Sequence, residues 1–266
     1  MKFRPPAVAG QFYPGDKKEL EEMLEGFLNQ AAPPKIDGEI FGLLLPHAGY
    51  VYSGVVAAYG VKAIANKNFD KVIIIGDSHY DRFDGVATWL KGDWQTPLGK
   101  IEIEEGLAQK ILSISGRFIT KDQAHLSEHS IEVQLPFLQK TLKNFKILPI
   151  IFGSENKDWE LLARVILENT KNERILIIAS SDLSHYLPYE VAKEVDQKTL
   201  KNILDLQISD LEVCAQDAVK TLIAIAQKLG AKTKLLKYAN SGDRVPAGRV
   251  GDKSQVVGYG AVAFYR

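Results

Sequence analysis

The chain has 266 residues with 33 basic and 33 acidic side chains, so its formal net charge is zero and no electrostatic case for a polyanionic partner exists; nucleic acid is not expected. A single cysteine, Cys214, excludes an intramolecular disulfide, a cysteine-rich zinc module and an iron–sulfur cluster held by this chain alone. No apolar run approaches the ~20 residues a membrane helix needs and the first residues carry no apolar leader, so no membrane association and a cytoplasmic location are expected.

The opening segment carries several prolines and glycines around Val8, Phe12 and Tyr13 and reads as an ordered arm packed by its aromatics. Asp16-Lys17-Lys18-Glu19 then places a helix cap and its reciprocal glutamate three residues apart, and Leu20, Met23, Leu24, Phe27 and Leu28 repeat on one face. Ala32-Pro33-Pro34 ends that helix. Beyond it, short apolar runs at 41–45, 71–75, 86–90, 145–151, 174–179, 234–238 and 256–264 are the strand candidates. Amphipathic segments at 53–65, 104–113, 127–142, 159–169, 189–206 and 210–229 lie between them as helices. The alternation predicts an α/β fold, a central mostly parallel or mixed sheet flanked by helices. Neither a repeat nor a linker divides the chain, so one domain over 1–266 is expected.

Three of the five histidines follow the most convincing buried strands: His47 after 41–46, His79 after 71–78 and His185 after 175–184. In an open α/β sheet the carboxyl ends of parallel strands border the ligand crevice, so imidazoles at three such ends are expected to converge. Pro46-His47-Ala48-Gly49-Tyr50 and Ser53-Gly54 place small residues where backbone must approach a ligand, and a helix starting at Ser53 would turn amide donors toward it. Tyr50 and Ser78 are therefore substrate-contact candidates. Asp243 follows a strand candidate and offers a carboxylate, with Asp252 as an alternative; two imidazoles and a carboxylate suit iron(II) and can also hold zinc.

His125 and His129 stand four residues apart, so a continuous helix would put them on one face. The order His-Leu-Ser-Glu-His lacks the glutamate that follows the first histidine in zinc proteases, so the pair is placed around the metal and not on it. His125 is assigned to substrate contact and His129 to the catalytic set with His185 and Asp182. Glu128 and Glu132 are the groups that would orient them. Cys214, within a helix candidate, is read as buried packing.

Taken together, segments 4–14 (Arg-Pro-Pro-Ala-Val-Ala-Gly-Gln-Phe-Tyr-Pro) and 46–50 (Pro-His-Ala-Gly-Tyr), Gly76-Asp77-Ser78-His79, Glu128-His129-Ser130-Ile131-Glu132 and 180–186 (Ser-Ser-Asp-Leu-Ser-His-Tyr) make the chain resemble the Memo family. That family is related to the class III extradiol ring-cleaving dioxygenases and their LigB-like fold, and the resemblance spans nearly the whole chain. It implies a metal site formed by His47 and His79 with a third ligand from the loop near Asp243, and His185 at the position that serves as acid–base residue in the dioxygenase relatives. Some Memo proteins offer a cysteine just after the Tyr-Ala-x-Ser stretch, where this chain has Gly242-Asp243-Arg244: Asp243 in that place restores the two-histidine, one-carboxylate set, whereas Arg244 there removes the third ligand. Iron(II) is the implied cofactor, with zinc or copper as alternatives. AMMECR1-like and radical-SAM proteins, the AmmeMemoRadiSam grouping, are the implied partners.

Three functions compete on these residues. The first is a non-haem iron-dependent, dioxygenase-like redox enzyme acting on an unknown small molecule, with His185 moving the proton. The second is a non-enzymatic binding protein whose pocket takes a peptide or a phosphorylated ligand, aided by Arg82 and the amides after Gly49. The third, the weakest, is a serine esterase using Ser78, Asp182 and His185; the order of its blocks is unusual and no segment for an oxyanion hole is evident.

Overall fold

Alternating side chains along four short apolar strands decide the architecture, because successive residues point to opposite faces and both faces are apolar. In the computed structural model, which describes residues 3–153, 158–171, 173–243 and 252–266, those strands form the centre of a mixed sheet. The first half of the chain runs β1 (Phe3–Arg4), α1 (Lys17–Gln30), β2 (Ile40–Leu45), α2 (Tyr50–Ala63), β3 (Lys71–Asp77), β4 (Val86–Thr88), β5 (Asp93–Thr96), β6 (Gly99–Glu102), α3 (Glu105–Ile114) and β7 (Phe118–Thr120). It continues with α4 (Asp122–Leu126), a 3-10 turn at Glu132–Gln134 leading into α5 (Leu135–Thr141), β8 (Lys146–Phe152), α6 (Asp158–Asn169), β9 (Ile175–Ser180), β10 (His185–Leu187), α7 (Tyr189–Leu204), α8 (Gln216–Leu229), β11 (Lys232–Asn240) and β12 (Val256–Tyr265).

The large sheet has the order β10-β12-β2-β9-β3-β8-β4-β7, with β11 also on β12. Its centre, β2-β9-β3-β8, is parallel; β12 and β4 join it antiparallel. Leu43, Leu45, Val72, Ile74, Leu176 and Ile178 face one apolar layer, which also holds Leu20, Leu24 and Phe27 of α1, Val56 and Val61 of α2 and Phe137 of α5. Leu44, Ile73, Ile75, Ile177 and Ala179 face the other, completed by Leu107 and Ile111 of α3, Leu162 and Ile166 of α6 and Leu222 and Ile223 of α8. A separate three-stranded sheet, β1-β5-β6, carries the amino-terminal arm. At α1, Asp16 caps the helix as expected, accepting from the amides of Lys18 and Glu19 at 2.9 and 3.0 Å.

Two expected helices are shorter than their periodicity suggests, and both breaks serve the site. The 127–142 segment is interrupted because the Glu128 carboxylate takes the amides of His129 and Ser130, which a helix would have turned elsewhere. The 210–229 segment becomes helical only at Gln216: Leu211 and Val213 insert into the core, while the amides of Cys214 and Ala215 bond to the Asp182 carbonyl and the Ser181 hydroxyl. Among the described residues no helix is long and apolar enough to cross a membrane.

Candidate metal centre

β9 lies between β2 and β3, so residues just beyond β2 and β3 start roughly 10 Å apart, two strand spacings, and must lean over the end of β9 to meet. His47 and His79 do so, with ring centroids 5.1 Å apart and planes at 88°. The third imidazole at this carboxyl end is His129, 4.5 Å from His79 and 5.2 Å from His47 between centroids. One nitrogen from each of the three rings falls within 4.8 Å of the others, so the group could hold a metal ion.

Each ring is set by its surroundings. The backbone amide of His47 donates to Asp182 Oδ1 at 2.8 Å, and its Nδ1 lies 3.3 Å from Ser180 Oγ. That hydroxyl already donates to the Ser130 carbonyl and accepts from Gln134 Nε2, so its remaining capacity is to accept; Nδ1 of His47 then carries the hydrogen and Nε2 keeps its lone pair. His79 is fixed twice by Glu128, through its amide to Oε2 at 2.7 Å and its Nδ1 to Oε1 at 2.9 Å. The same Oε1 receives the amides of His129 and Ser130. Although burial works against a charged carboxylate, the bonds and charge of His79, then the charge of His129, hold Glu128 down at about 2. Burial likewise opposes the charge on His79, but hydrogen bonding to Cys214 and to Glu128 and the Glu128 charge hold it up at about 9. His129, buried beneath Phe12 at a centroid distance of 4.9 Å, is pushed down to about 3, first by burial and then by the neighbouring His47.

The loop bearing His129 is latched by the amino-terminal arm. Arg4 has no exposed surface: its guanidinium donates to the His125 and Glu128 carbonyls, pairs with Glu132 and lies 4.2 Å over the Trp94 ring. Glu132 also accepts from the amides of Ala7 and Val8 and from the Tyr13 hydroxyl. The arm and the Glu128–Glu132 segment are thus one polar unit, which is why both carry so many distinctive residues.

The remaining candidates fall elsewhere. Asp243 does not join the imidazoles: Oδ1 accepts from the Tyr189 hydroxyl at 2.7 Å and Oδ2 from the Asn240 amide at 2.8 Å, closing the turn after β11. Arg244 lies outside the described residues, and Asp252 caps the Ser254 amide. His185 makes no described contact with the three imidazoles; its Nδ1 bonds to the Leu183 carbonyl at 3.0 Å. Asp182 is buried and holds the His47 amide. Tyr50, expected against substrate, is buried with its hydroxyl on the Val133 carbonyl, and its amide is taken by the Phe12 carbonyl. His125, also expected there, has no exposed surface and lies edge-on between Trp89 and Trp94. Ser78 accepts the Asp81 amide, so Ser78, Asp182 and His185 form no described relay.

Cys214 corrects the reading of it as helix packing. Its sulfur stands 3.2 Å from His47 Nε2, receives the Asp182 amide at 3.2 Å, and helps to keep the His79 ring charged. Helical periodicity across 210–229 concealed it, since a break in a helix produced by distant hydrogen bonds leaves no local signature.

Two imidazoles just beyond β2 and β3 and a third from the loop before Glu132 define a class: an α/β protein with a histidine cluster that could hold a metal ion at the carboxyl end of its sheet. The Memo-like protein family model matches residues 4–263. Similar curated proteins, each named as a MEMO1 family protein, come from Nitrosopumilus maritimus (36% identical, covering 98% of this chain and 99% of the relative), Sulfurisphaera tokodaii (38%, 98% and 99%) and Desulfurococcus amylolyticus (38%, 100% of both). The chain belongs to the Memo family, and its mixed sheet flanked by helices is the LigB-like architecture that the family resemblance implies.

Proposed function

We propose that this chain is a metal-dependent oxidoreductase of the non-haem type, with a single ion, iron(II) first, held by His47, His79 and His129. One observation supports it above the others: three ring nitrogens lie within 4.8 Å while Ser180 and Glu128 occupy the outward nitrogens of two of the rings. The donor set also fits, since His129 Nδ1 is buried without a hydrogen-bond partner and neutral imidazole suits iron, zinc and copper alike. When bound, such an ion supplies Lewis acidity and, as iron, one-electron chemistry with dioxygen. The protein residues do the rest. His79, with 31% of its side chain exposed, marks the open side, where the exposed Tyr80 ring stands 5.9 Å from His129 and would border an incoming small molecule. His185 is the proposed proton carrier, and Asp182 keeps His47 in place. Association with AMMECR1-like and radical-SAM proteins is proposed from the family resemblance alone.

Loading the chain with iron(II) under anaerobic conditions and measuring bound metal tests this reading. One equivalent is expected, lost in His129→Ala and kept in Asp243→Asn. Full retention by His129→Ala would remove His129 from the donor set, and loss of metal in Asp243→Asn with the fold intact would return the third position to the carboxylate. A wild-type chain that takes up no metal would favour the non-enzymatic pocket instead.

A further inference from the structure

We propose that Cys214 is a sulfur ligand of this centre, making the donor set three imidazoles and one thiolate. The inference rests on the metal-centre reading above and concerns a residue which that reading does not use. The Cys214 sulfur lies beside two of the three rings: it is 3.2 Å from His47 Nε2, the nitrogen left free when Ser180 takes Nδ1, and it interacts with the His79 ring, whose Nδ1 is taken by Glu128.

The sulfur is also held in place. The Asp182 amide points at it from 3.2 Å, the Ser181 hydroxyl lies 3.4 Å away, and the backbone of Cys214 is pinned to the Asp182 carbonyl. An amide donor of this kind stabilises a thiolate, and it comes from the segment that follows β9, the strand whose end carries Ser180; the Ser181 hydroxyl spends its own hydrogen on the Asp182 carbonyl at 2.8 Å. Independent of the sulfur, His129 points to a ligand at this centre: its side chain is nine-tenths buried, it offers a nitrogen to the imidazole cluster, and its Nδ1 makes no hydrogen bond, standing 3.5 Å from Glu128 Oε1. A structural cysteine needs none of this. As the only cysteine of the chain it has no intramolecular disulfide partner either.

On binding, the sulfur–metal bond forms as the S–H bond gives up its proton to solvent, with no change of oxidation state. A soft donor of this kind tilts the centre toward zinc, cobalt and copper and away from magnesium and manganese. The sulfur arrives from the segment before α8 and not from the loop that follows β11.

Cobalt(II) titration of the full chain tests this spectroscopically, without turnover. The wild type is expected to show visible d–d bands together with a near-ultraviolet sulfur-to-cobalt charge-transfer band. Cys214→Ser and Cys214→Ala should lose the charge-transfer band, keep the d–d bands, and bind zinc at least tenfold more weakly, with circular dichroism unchanged. Wild-type d–d bands without the charge-transfer band overturn the sulfur assignment and leave the imidazole centre standing, even if neither variant folds. Retention of the band in both variants overturns it equally. Failure of the wild type to bind cobalt, or binding undiminished in His47→Ala, overturns the centre and the sulfur assignment together.

Discussion

Replacing Glu128 by Gln should destabilise the metal-free protein by an amount that depends on pH in a defined window. The carboxylate is 1% exposed and accepts four hydrogen bonds, three of them at Oε1. A glutamine that turns its carbonyl toward those three sets its NH2 against the His79 amide, leaving buried donors facing each other at a cost of about 1–3 kcal/mol at any pH. The charge contribution comes on top. Glu128 is held at about 2 instead of the ordinary 4.5 and His79 at about 9 instead of 6.5, and each displacement corresponds to roughly 3 kcal/mol. The Glu128 displacement records this ion pair and the His79 displacement records it together with the hydrogen bond to Cys214, so the value is counted once. A depressed carboxyl stabilises fully above its unfolded value and loses that stabilisation as pH falls from 4.5 toward 2; a raised imidazole stabilises fully below 6.5 and loses it as pH rises through about 9. The stability difference between wild type and Glu128→Gln should therefore peak between those limits, near pH 5.5, shrink by roughly 3 kcal/mol toward the acid side, and shrink by less toward the alkaline side, where Cys214 holds part of the His79 displacement in both proteins. Urea denaturation of chelator-treated protein across that range measures it. A difference that stays constant to within about 1 kcal/mol would refute the pairing of Glu128 with a protonated His79.

Arg4→Ala removes the cation from a fully buried pair and strands the Glu132 carboxylate, so a loss of about 3–5 kcal/mol is expected in urea melts, together with weaker metal uptake because the His129 loop loses its latch. A loss below about 1 kcal/mol would show that the arm is dispensable. Gly76→Ala would put a methyl 2.6 Å from Ser130 Oγ and 3.1 Å from its Cβ, beside the residue whose carbonyl receives Ser180; about 1–3 kcal/mol of destabilisation and reduced metal affinity should follow, and an unchanged melting curve would contradict that packing.

The sheet was legible because its signal is local. Val72 to Ile75, between Lys71 and Gly76, and Ile175 to Ala179, between Arg174 and Ser180, are continuous apolar runs, and such runs are buried strands wherever in the sheet they fall. Their order was not legible: nothing in the runs themselves places β9 between β2 and β3. Of the short strands, β4 falls within the 86–90 candidate, but others escaped notice. β10 is only His185–Leu187 and is held by pairing with β12, while β1 is a two-residue strand held by β5, so each depends on a partner far away in sequence.

For the site, the distinction between local and distant causes separates the residues in the same way. His47 and His79 could be proposed because each closes a strand, and the carboxyl ends of parallel strands are where ligands bind. His129 closes no strand. It reaches the crevice because Glu128 diverts the chain from a helix and because Arg4, more than 120 residues away, holds the carbonyls of His125 and Glu128. Cys214 arrives by the same route, drawn out of a helical pattern by Asp182 and Ser181. Buried polar groups with several partners therefore do what apolar periodicity does not: they choose which side chains face the crevice. Glu128, Glu132 and Asp182 between them accept from Arg4, His47, His79, His129, Ser130, the backbone of the arm and the Tyr13 hydroxyl. An acidic residue flanked by apolar neighbours, as Glu132 is by Ile131 and Val133, is the trace such a network leaves in a sequence, because burial of a carboxylate is tolerated only where donors converge on it.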